Sequence, residues 1–515
     1  MEVSEIIQTP QSEALSSSDT QTRIRSQSRR LHPIFYSLAV MVSISIWFLA
    51  FRAPLWLDET GSYWQISGGF SKIWSHQVGI TFPAYAYILW LTTVILGKAE
   101  MALRVPSVLA MLAAAWVLYK AARELFDRDV AIITTVFFCL HPIVVFAAID
   151  VRPYAFAVLA ANATIFALLR LRRSDSNLLA ALFGIGAGVI LYFHFLFGCI
   201  LPALAIGFLI AKARDRRILL RQCAVALGAF ILASLPVVSK LRYMFATSGT
   251  HVFDVAPPLA ELGRTVAPGW GLFVFGGAVL VAVAVGAIDL RNMIDPFSIL
   301  VCASLALIPL GLLYGASVAT PIHIFTSRYR LVAIPGIALC WGLLVSQLQS
   351  RTVRLLFCVA LVSVTAYQNF MSPDSGKHGY TWKYALEFAE KNAAADHAPM
   401  LICSDFPEAD YETMPVGHAN ESNIFTPLSY YKVSMPVVPL PRALNREAIR
   451  VASNFLQDPS RRQQRFLALA FWPSYRTLDW LASSASATHS VRVLGKFDGI
   501  EVREFLPRPQ ENTSR

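Results

Sequence analysis

Long apolar stretches alternate with short polar segments between about residue 34 and residue 370. Several of these stretches approach the ~20 residues that a helix needs to cross a bilayer. The pattern therefore predicts a polytopic α-helical membrane protein with about eleven transmembrane helices. The expected spans are 38–51, 104–122, 129–148, 153–171, 178–192, 194–211, 218–239, 269–288, 297–318, 330–348 and 352–370.

One further apolar stretch, residues 82–97, is short for a crossing and has Pro83 near its start. If it does not cross, the short loops rich in Lys and Arg all lie on one side, which the positive-inside rule makes cytoplasmic. If it crosses, every one of these clusters lies outside. We therefore expect it not to cross. This leaves a large first outer loop at 52–103, a cytoplasmic N-terminus and an extracytoplasmic C-terminal region.

The two ends of the chain differ from the apolar region. Residues 1–33 contain a long Ser-, Thr- and Gln-rich stretch and are expected to form a disordered cytoplasmic tail. Residues 371–515 are expected to form one soluble α/β domain, because a short helical pattern is followed by strand-like runs. These runs are 400–405, 433–440, 465–472, 491–497 and 499–505.

Within the first outer loop, apolar and aromatic residues recur at helical spacing from Tyr63 to Trp74. The spacing predicts an amphipathic helix along the membrane surface, and the positions of Trp64 and Trp74 favour the headgroup zone.

Composition strengthens the membrane interpretation. The 515 residues are 55% hydrophobic and 15% charged, whereas soluble domains are roughly 45–50% apolar and about a quarter charged. The net charge of +11 arises from basic residues in short loops, which is typical of membrane orientation and not of nucleic-acid binding. Six of the seven cysteines lie in apolar runs and no metal-ligand spacing occurs.

Two adjacent carboxylates, Asp58 and Glu59, follow the first predicted span at the outer side. Acidic residues suit the first turn of a helix, so both could simply start the helix that follows. The functional interpretation is a general base at the membrane surface, where partial burial raises the pKa of a carboxyl group.

A second polar group, Asp150, Arg152 and Tyr154, lies between two predicted spans on the same side. Charges at membrane depth are costly and usually face a partner or a cavity. An ion pair between Asp150 and Arg152 is the structural alternative to a catalytic role.

His194 and the pair Arg328–Tyr329 also lie at this outer side. A single His is often a hydrogen-bonded core residue, and an interfacial Arg often only reaches the headgroups. Arg is also suited to bind a phosphate through paired donors. The convergence of acids, Arg, Tyr and His on one face is what transfer from a lipid-phosphate substrate to an outer-face acceptor requires.

The order of these motifs resembles that of the C-type (GT-C) membrane glycosyltransferases. Bacterial members of the rhizobial lipopolysaccharide, aminoarabinose-transferase and protein O-mannosyltransferase kinds are the most similar. The resemblance lies in LWLDE (55–59), LGKAEMALRVPSVLA (96–110), YKAARELFDRDVA (119–131), HPIVVFAAIDVRPYA (141–155), YFHF (192–195) and SRYRLVAIPGIAL (327–339).

The resemblance implies a polyprenyl-phosphate-linked sugar donor, an outer-facing active site and a catalytic acid in the first outer loop of a bacterial inner-membrane protein. The acceptor would be a lipid, a glycan or a protein. By this resemblance the catalytic residues are Asp58, Glu59 and Asp150, and the substrate-binding residues are Arg152, Tyr154, His194, Arg328 and Tyr329. Many relatives carry His-Pro-Pro before the segment that here begins Thr81-Phe82-Pro83, so this chain lacks that His.

The expected reaction is transfer of a hexosyl or pentosyl unit with inversion, with Asp58 as base. Arg328 would steady the leaving phosphate, with Lys240, Arg242 or Arg264 as further candidates. A divalent cation could assist, but two adjacent carboxylates define no specific metal site. A lipid-linked substrate transporter or flippase is the alternative, although no internal repeat is found. A non-catalytic membrane scaffold is a third possibility.

Overall fold

A computed structural model of the chain describes residues 34–75, 83–212, 216–247, 256–267, 277, 295–348, 350–371, 382–461 and 463–509. The structure consists of a helical membrane region and a C-terminal α/β domain. This is the fold class that the hydrophobic pattern predicts. The tail at 1–33 and most of the predicted span 269–288 lie outside the described residues.

In the described ranges, the membrane region and the first outer loop contain fourteen α-helices, besides short 3-10 turns. They are α1 (Ile34–Ala50), α2 (Leu57–Ser67), α3 (Ala84–Leu96), α4 (Glu100–Leu125), α5 (Arg128–Leu140), α6 (Pro142–Ile149), α7 (Tyr154–Leu171), α8 (Asn177–Phe193), α9 (Leu201–Lys212), α10 (Arg216–Thr247), α11 (Ala260–Val266), α12 (Pro296–Ala319), α13 (Ser327–Ser346, with a 3-10 turn at Leu331–Ala333) and α14 (Arg351–Met371).

Six segments in the described part of the chain are long and apolar enough to cross a membrane, and a bent pair gives a seventh. The six agree with predicted spans: Glu100–Leu125, Tyr154–Leu171, Phe195–Lys212, Leu219–Val238, Pro296–Ala319 and Ser327–Ser346. The first predicted span and the span at 178–192 are shorter apolar helices. The total of eleven spans therefore stays a prediction.

The bent pair consists of α5 and α6, which meet at an angle of 68°. The bend follows from the local sequence. Pro142 is the first residue of α6, where a missing N–H costs least, and the His141 side chain accepts a hydrogen bond from the backbone N–H of Ile143 at 3.3 Å. The break directs α6 to end at Ile149, so that Asp150 follows immediately outside the helix.

The first outer loop does not lie along the membrane surface as an exposed amphipathic helix. Residues Glu59 to Ile66 of α2 are all buried, and the Trp64 indole donates a hydrogen bond to the Glu421 carbonyl of the C-terminal domain at 2.8 Å. The expected headgroup position of Trp64 is therefore wrong, because the C-terminal domain covers this helix. Trp74 remains exposed.

Helix α3, in the segment 82–97, has 13 residues. At ~1.5 Å per residue it is about 20 Å long, shorter than the ~30 Å hydrocarbon core of a bilayer. Tyr85 and Leu89 pack in one apolar cluster with Tyr63 of α2 and Leu103 of α4. The helix therefore supports the end of the bundle at which α2 lies.

The C-terminal domain contains a five-stranded sheet. Side by side, its strands are β2 (Val437–Leu440), β1 (Met400–Cys403), β3 (Phe466–Phe471), β5 (Ile500–Pro507) and β4 (His489–Phe497). Strands β2, β1 and β3 are parallel, and β5 and β4 are antiparallel neighbours on one side. The elements are α15 (Trp382–Ala393), β1 (Met400–Cys403), α16 (Thr426–Tyr430), β2 (Val437–Leu440), α17 (Arg446–Gln457), β3 (Phe466–Phe471), α18 (Tyr475–Ala485), β4 (His489–Phe497) and β5 (Ile500–Pro507).

The local sequence explains the sheet order. Helix α17 connects the parallel strands β2 and β3, as a parallel crossover requires. Strands β4 and β5 are joined by Asp498 and Gly499, both with positive φ (43° and 91°), which is the geometry of a tight hairpin turn. Each of the five predicted strand runs overlaps a strand of the sheet.

The C-terminal domain is anchored on the first outer loop by polar contacts. The hydroxyls of Thr60 in α2 and Thr426 in α16 are 2.8 Å apart. The Tyr431 hydroxyl accepts from the Leu55 N–H at 2.7 Å and lies 3.0 Å from a carboxylate oxygen of Glu100. These contacts place the edge of the sheet domain over the start of α2.

Candidate active site

Asp58 lies in the first turn of α2, and its carboxylate forms an ion pair with the guanidinium of Arg328 at the start of α13. The side chains are 18% and 32% exposed, respectively. The pair therefore joins the first outer loop to a late membrane helix. It combines a carboxylate that can accept a proton with a guanidinium that can bind a phosphate, and both remain accessible.

Glu59, the neighbouring acid, lies in a different environment. Its side chain is fully buried and forms an ion pair with Arg104 at 2.8 Å. It also accepts backbone N–H groups from Trp56 at 3.2 Å and from Val151 at 2.9 Å. The contact with Trp56 forms half of a capping box at the start of α2. Glu59 therefore caps the start of α2 as its third residue. It also links the segment before α2, at Trp56, to the loop after α6, at Val151.

Arg104 completes this anchor, although the sequence analysis did not single it out. Its guanidinium donates to the carbonyls of Phe51 at 3.0 Å, Ala53 at 2.5 Å and Ile149 at 3.1 Å, besides Glu59. It therefore fixes the chain just before each of the two acidic motifs, Asp58–Glu59 and Asp150. Arg104 is the one charged residue in the stretch 101–119 of α4, and this was the available signal, because such a residue needs a partner at membrane depth.

Asp150 follows α6 and is fully buried. One carboxylate oxygen accepts the Trp56 indole N–H at 3.1 Å, and the other has no hydrogen-bond partner among the described residues. Burial raises the pKa of Asp150 well above its ordinary value, and the nearby charge of Glu59 raises it further. Asp150 is therefore held at the edge of the site with a free oxygen.

Arg152 lies beside Asp58 and does not pair with Asp150. One terminal nitrogen is 3.4 Å from the Asp58 carbonyl and 3.5 Å from the Ser62 hydroxyl. Within the described chain, its Nε has no hydrogen-bond partner and no ion pair links it to Asp150. The structural Asp150–Arg152 pair that the sequence allowed is not formed, so Arg152 keeps donor capacity for a ligand.

Aromatic rings form a wall beside these charges. The ring of His194 lies 5.3 Å from that of Tyr154 and 5.1 Å from that of Tyr329, and Phe197 packs against both His194 and Tyr154. The Arg328 guanidinium lies 5.5 Å from the centre of the Tyr329 ring. In the described part of the structure, the Tyr154 hydroxyl and the His194 Nδ1 are buried without partners.

All eight candidate residues of the sequence analysis thus lie in two layers. Asp58 and Arg328 form the accessible layer. Glu59, Asp150 and the rings of Tyr154 and His194 are buried beside it. The other cationic candidates have different positions: Arg264 pairs with Glu261 on an exposed surface. Lys240 and Arg242 lie within α10 and not in a loop. Their side chains are outside the described part.

The described residues do not provide a cluster of side-chain ligands for a metal ion. No group of three or more His, Cys, Asp or Glu side chains that could hold a metal is found among the described residues. Asp58 is turned toward Arg328, and Glu59 is turned toward Arg104. The described carboxylates therefore do not fit a cation site, and no metal ligand is assigned.

Comparison with known proteins bears on the fold and not on the individual site residues. A family model described as dolichyl-phosphate-mannose-protein mannosyltransferase matches residues 81–239. ArnT from Cupriavidus metallidurans bound to undecaprenyl phosphate is similar in structure, with a TM-score of 0.54 at 13% identity over 91% of this chain and 97% of that chain. The chain has the C-type glycosyltransferase fold. The predicted resemblance to the C-type glycosyltransferases is thereby confirmed at the level of the fold.

Further similar structures include the apo state of the same ArnT, with a TM-score of 0.51 at 13% identity over 91% of this chain and 97% of that chain. The oligosaccharyltransferase AglB from Archaeoglobus fulgidus, with an inhibitory peptide and a dolichol-phosphate, has a TM-score of 0.47 at 11% identity over 90% of this chain and 69% of that chain. No curated protein matches the chain by sequence. The family match supports a membrane glycosyltransferase over the transporter and scaffold alternatives.

Proposed function

We propose that this C-type glycosyltransferase moves a hexosyl or pentosyl unit from a polyprenyl-phosphate carrier to an acceptor on the outer face of a bacterial inner membrane. The observation that carries the proposal is the accessible ion pair between Asp58 and Arg328. A base and a phosphate-binding cation are the two groups that this transfer needs. The ArnT structure of the same fold is bound to undecaprenyl phosphate, which supports a lipid-phosphate carrier.

The two adjacent acids have separate roles in this proposal. Asp58 is the general base, because its carboxylate is accessible and, among the described residues, is bonded to a cation that a phosphate can displace. Glu59 is the structural anchor, because Arg104 and two backbone N–H groups already occupy its oxygens. Asp150 orients Trp56 and faces the site with its free oxygen.

The donor side is formed by Arg328 and Arg152. Both guanidiniums lie next to Asp58, and Nε of Arg152 is available for a ligand. A guanidinium can bind a phosphate through two parallel N–H donors. The rings of Tyr154, His194 and Tyr329 form the adjoining wall, which limits the access of water to the reacting atoms.

Donor binding is coupled to activation of the base. When the carrier phosphate takes the N–H donors of Arg328, the Asp58 carboxylate loses its partner and becomes free to accept a proton. The acceptor oxygen then attacks the anomeric carbon as Asp58 takes its proton. The bond from that carbon to the phosphate oxygen breaks on the opposite side, and the leaving charge passes to the phosphate beside Arg328 and Arg152. In-line displacement inverts the anomeric centre.

The test uses cells that lack this protein, complemented with the wild-type chain or with Asp58→Asn. Mass spectrometry of envelope lipids, glycans and glycoproteins identifies any sugar that is lost on deletion. The wild-type chain should restore it. Asp58→Asn should reach the same membrane level and restore little, because removal of a general base typically costs ~10²–10⁴-fold in rate.

The matched control is Asp479→Asn, which makes the same chemical change at a side chain that is 67% exposed in the C-terminal domain. It should restore the sugar fully. An envelope that is unchanged by deletion, or full restoration by Asp58→Asn, would contradict the proposal.

A further inference from the structure

A buried acid of the C-terminal domain, Asp405, lies in the loop that follows β1. The loop is fixed in place: the Ser404 hydroxyl donates to the Ile424 carbonyl at 2.6 Å. Two residues after Ile424, the Thr426 hydroxyl lies 2.8 Å from the Thr60 hydroxyl of α2. Because Thr60 is two residues after Asp58, this chain of contacts places the Asp405 loop over the candidate base.

The surroundings of Asp405 differ from those of an acid that stabilises a fold. Its side chain is only 6% exposed, and its Oδ2 has no hydrogen-bond partner in the described structure. Burial raises the pKa of Asp405 to about 7, the positive charge of Arg442 and the neighbouring Trp382 side chain oppose the shift, and the charge of Asp58 adds to it. The charge of Asp58 therefore acts on Asp405 across the domain junction.

The position in the sheet also points to a ligand. Asp405 follows β1 and Arg442 follows β2, so both lie at the carboxyl ends of adjacent parallel strands. Ligands of open α/β sheets bind outside this edge. Leaving a buried carboxylate oxygen unbonded costs free energy, and a ligand that donates a hydrogen bond would remove that cost.

We propose that Asp405 binds the acceptor, and that the attacking group of the acceptor is a hydroxyl and not a phosphate. This inference rests on the proposed function. A polyol can donate one hydroxyl to Asp58 and a neighbouring hydroxyl to Asp405, with no charge to desolvate. A phosphate monoester has no such match, because the donor phosphate already takes Arg328 and Arg152, and a second phosphate would lie beside the carboxyl groups of Asp58 and Asp405 without a free cation from that pair. The sheet domain thus selects the acceptor while the membrane region binds the donor.

The experiment compares full-length wild-type chain, Asp405→Asn and the control Asp479→Asn in cells lacking the protein and as purified protein in nanodiscs. In cells, fragmentation mass spectrometry determines whether the restored sugar is attached to a hydroxyl oxygen or to a phosphate. In nanodiscs, the affinity for undecaprenyl phosphate tests the donor side alone. Asp405→Asn should lower the amount of product about tenfold, since a hydrogen bond to a charged group is lost, and change the affinity for undecaprenyl phosphate less than twofold.

Each outcome is informative. A sugar attached through a phosphate, or a full product level with Asp405→Asn, would overturn the inference while leaving the proposed function intact. Equal losses of product and of undecaprenyl-phosphate affinity would also overturn it, because Asp405 would then act on the whole site. If deletion changes no envelope sugar, the proposed function fails, and this inference fails with it.

Discussion

Buried acids occur in the outer-face site and in the C-terminal sheet, and the two regions treat them differently. In the sheet, Glu504 is almost fully buried and forms ion pairs with both Arg465 and Arg492. In the site, Asp150 is equally buried, yet only one of its oxygens has a partner among the described residues. In the sheet, both carboxylate oxygens of Glu504 have partners. In the site, one oxygen of Asp150 has none among the described residues.

This difference separates stabilising from functional polar groups. A buried charge with complete bonding adds rigidity, and one with incomplete bonding is kept at a cost in stability that a ligand can offset. By this criterion Glu59 belongs with Glu504, although it lies next to Asp58 in the sequence. Asp150, Arg152 and Asp405 belong to the second class.

The largest expected effect is on stability, from Glu59→Gln. The substitution leaves Arg104 buried without an opposite charge, and breaking a buried ion pair in this way typically costs ~3–5 kcal/mol. We expect a lower unfolding midpoint in detergent and a lower membrane level. Glu447→Gln, which removes an exposed helical ion pair with Arg450, is the control and should change neither. If Glu59→Gln is normally stable and inactive, Glu59 is a catalytic residue and the comparison fails.

A smaller effect is expected for Arg328→Lys, on kinetics and not on folding. Lys keeps the charge and loses the paired donors, so the contact with the donor phosphate should weaken by roughly 1.5–3 kcal/mol. This corresponds to about a tenfold to hundredfold fall in kcat/KM, measured with purified enzyme over a series of polyprenyl-phosphate sugar concentrations. Kinetics like those of the wild type would make Arg328 an ordinary interfacial residue.

The pH dependence of stability tests whether Asp405 is incompletely bonded. Its pKa is raised to about 7 from an ordinary value of 3.8, so the unfolded chain loses this proton more readily than the folded one. The folded state is therefore destabilised progressively as the pH rises from about 4 to about 7. Asp405→Asn should raise the unfolding midpoint by on the order of a few degrees at pH 8 and have no effect at pH 3.5. A destabilised variant at pH 8 would refute the assignment.

The smallest effect is expected for Arg492→Ala in the sheet. Arg492 is 64% exposed, and Glu504 keeps its second partner Arg465. Exposed ion pairs contribute ~0–1 kcal/mol, so the midpoint of unfolding should hardly change. Arg465→Ala, which removes the more buried partner, should lower it clearly. Equal effects of the two substitutions would show that Arg465 contributes no more than Arg492 to stabilising the buried Glu504.

The sequence by itself determined six membrane spans, the bent pair, the five strands and the group of candidate site residues. These features are local: a hydrophobic run, an alternating strand or an acidic pair after a span can be read within ~20 residues. The candidate residues from Asp58 to Tyr329 were found because charged groups near membrane depth are costly and usually face a partner or a cavity.

Only the tertiary structure decided which of the two adjacent acids is accessible. Asp58 meets Arg328, 270 positions further along the chain, while Glu59 turns to Arg104. The burial of Trp64 under the sheet domain and the approach of Asp405 to the site were likewise absent from any local pattern. Long-range packing sets burial and pairing, and burial and pairing decide whether a carboxylate stabilises the fold or remains available for a substrate.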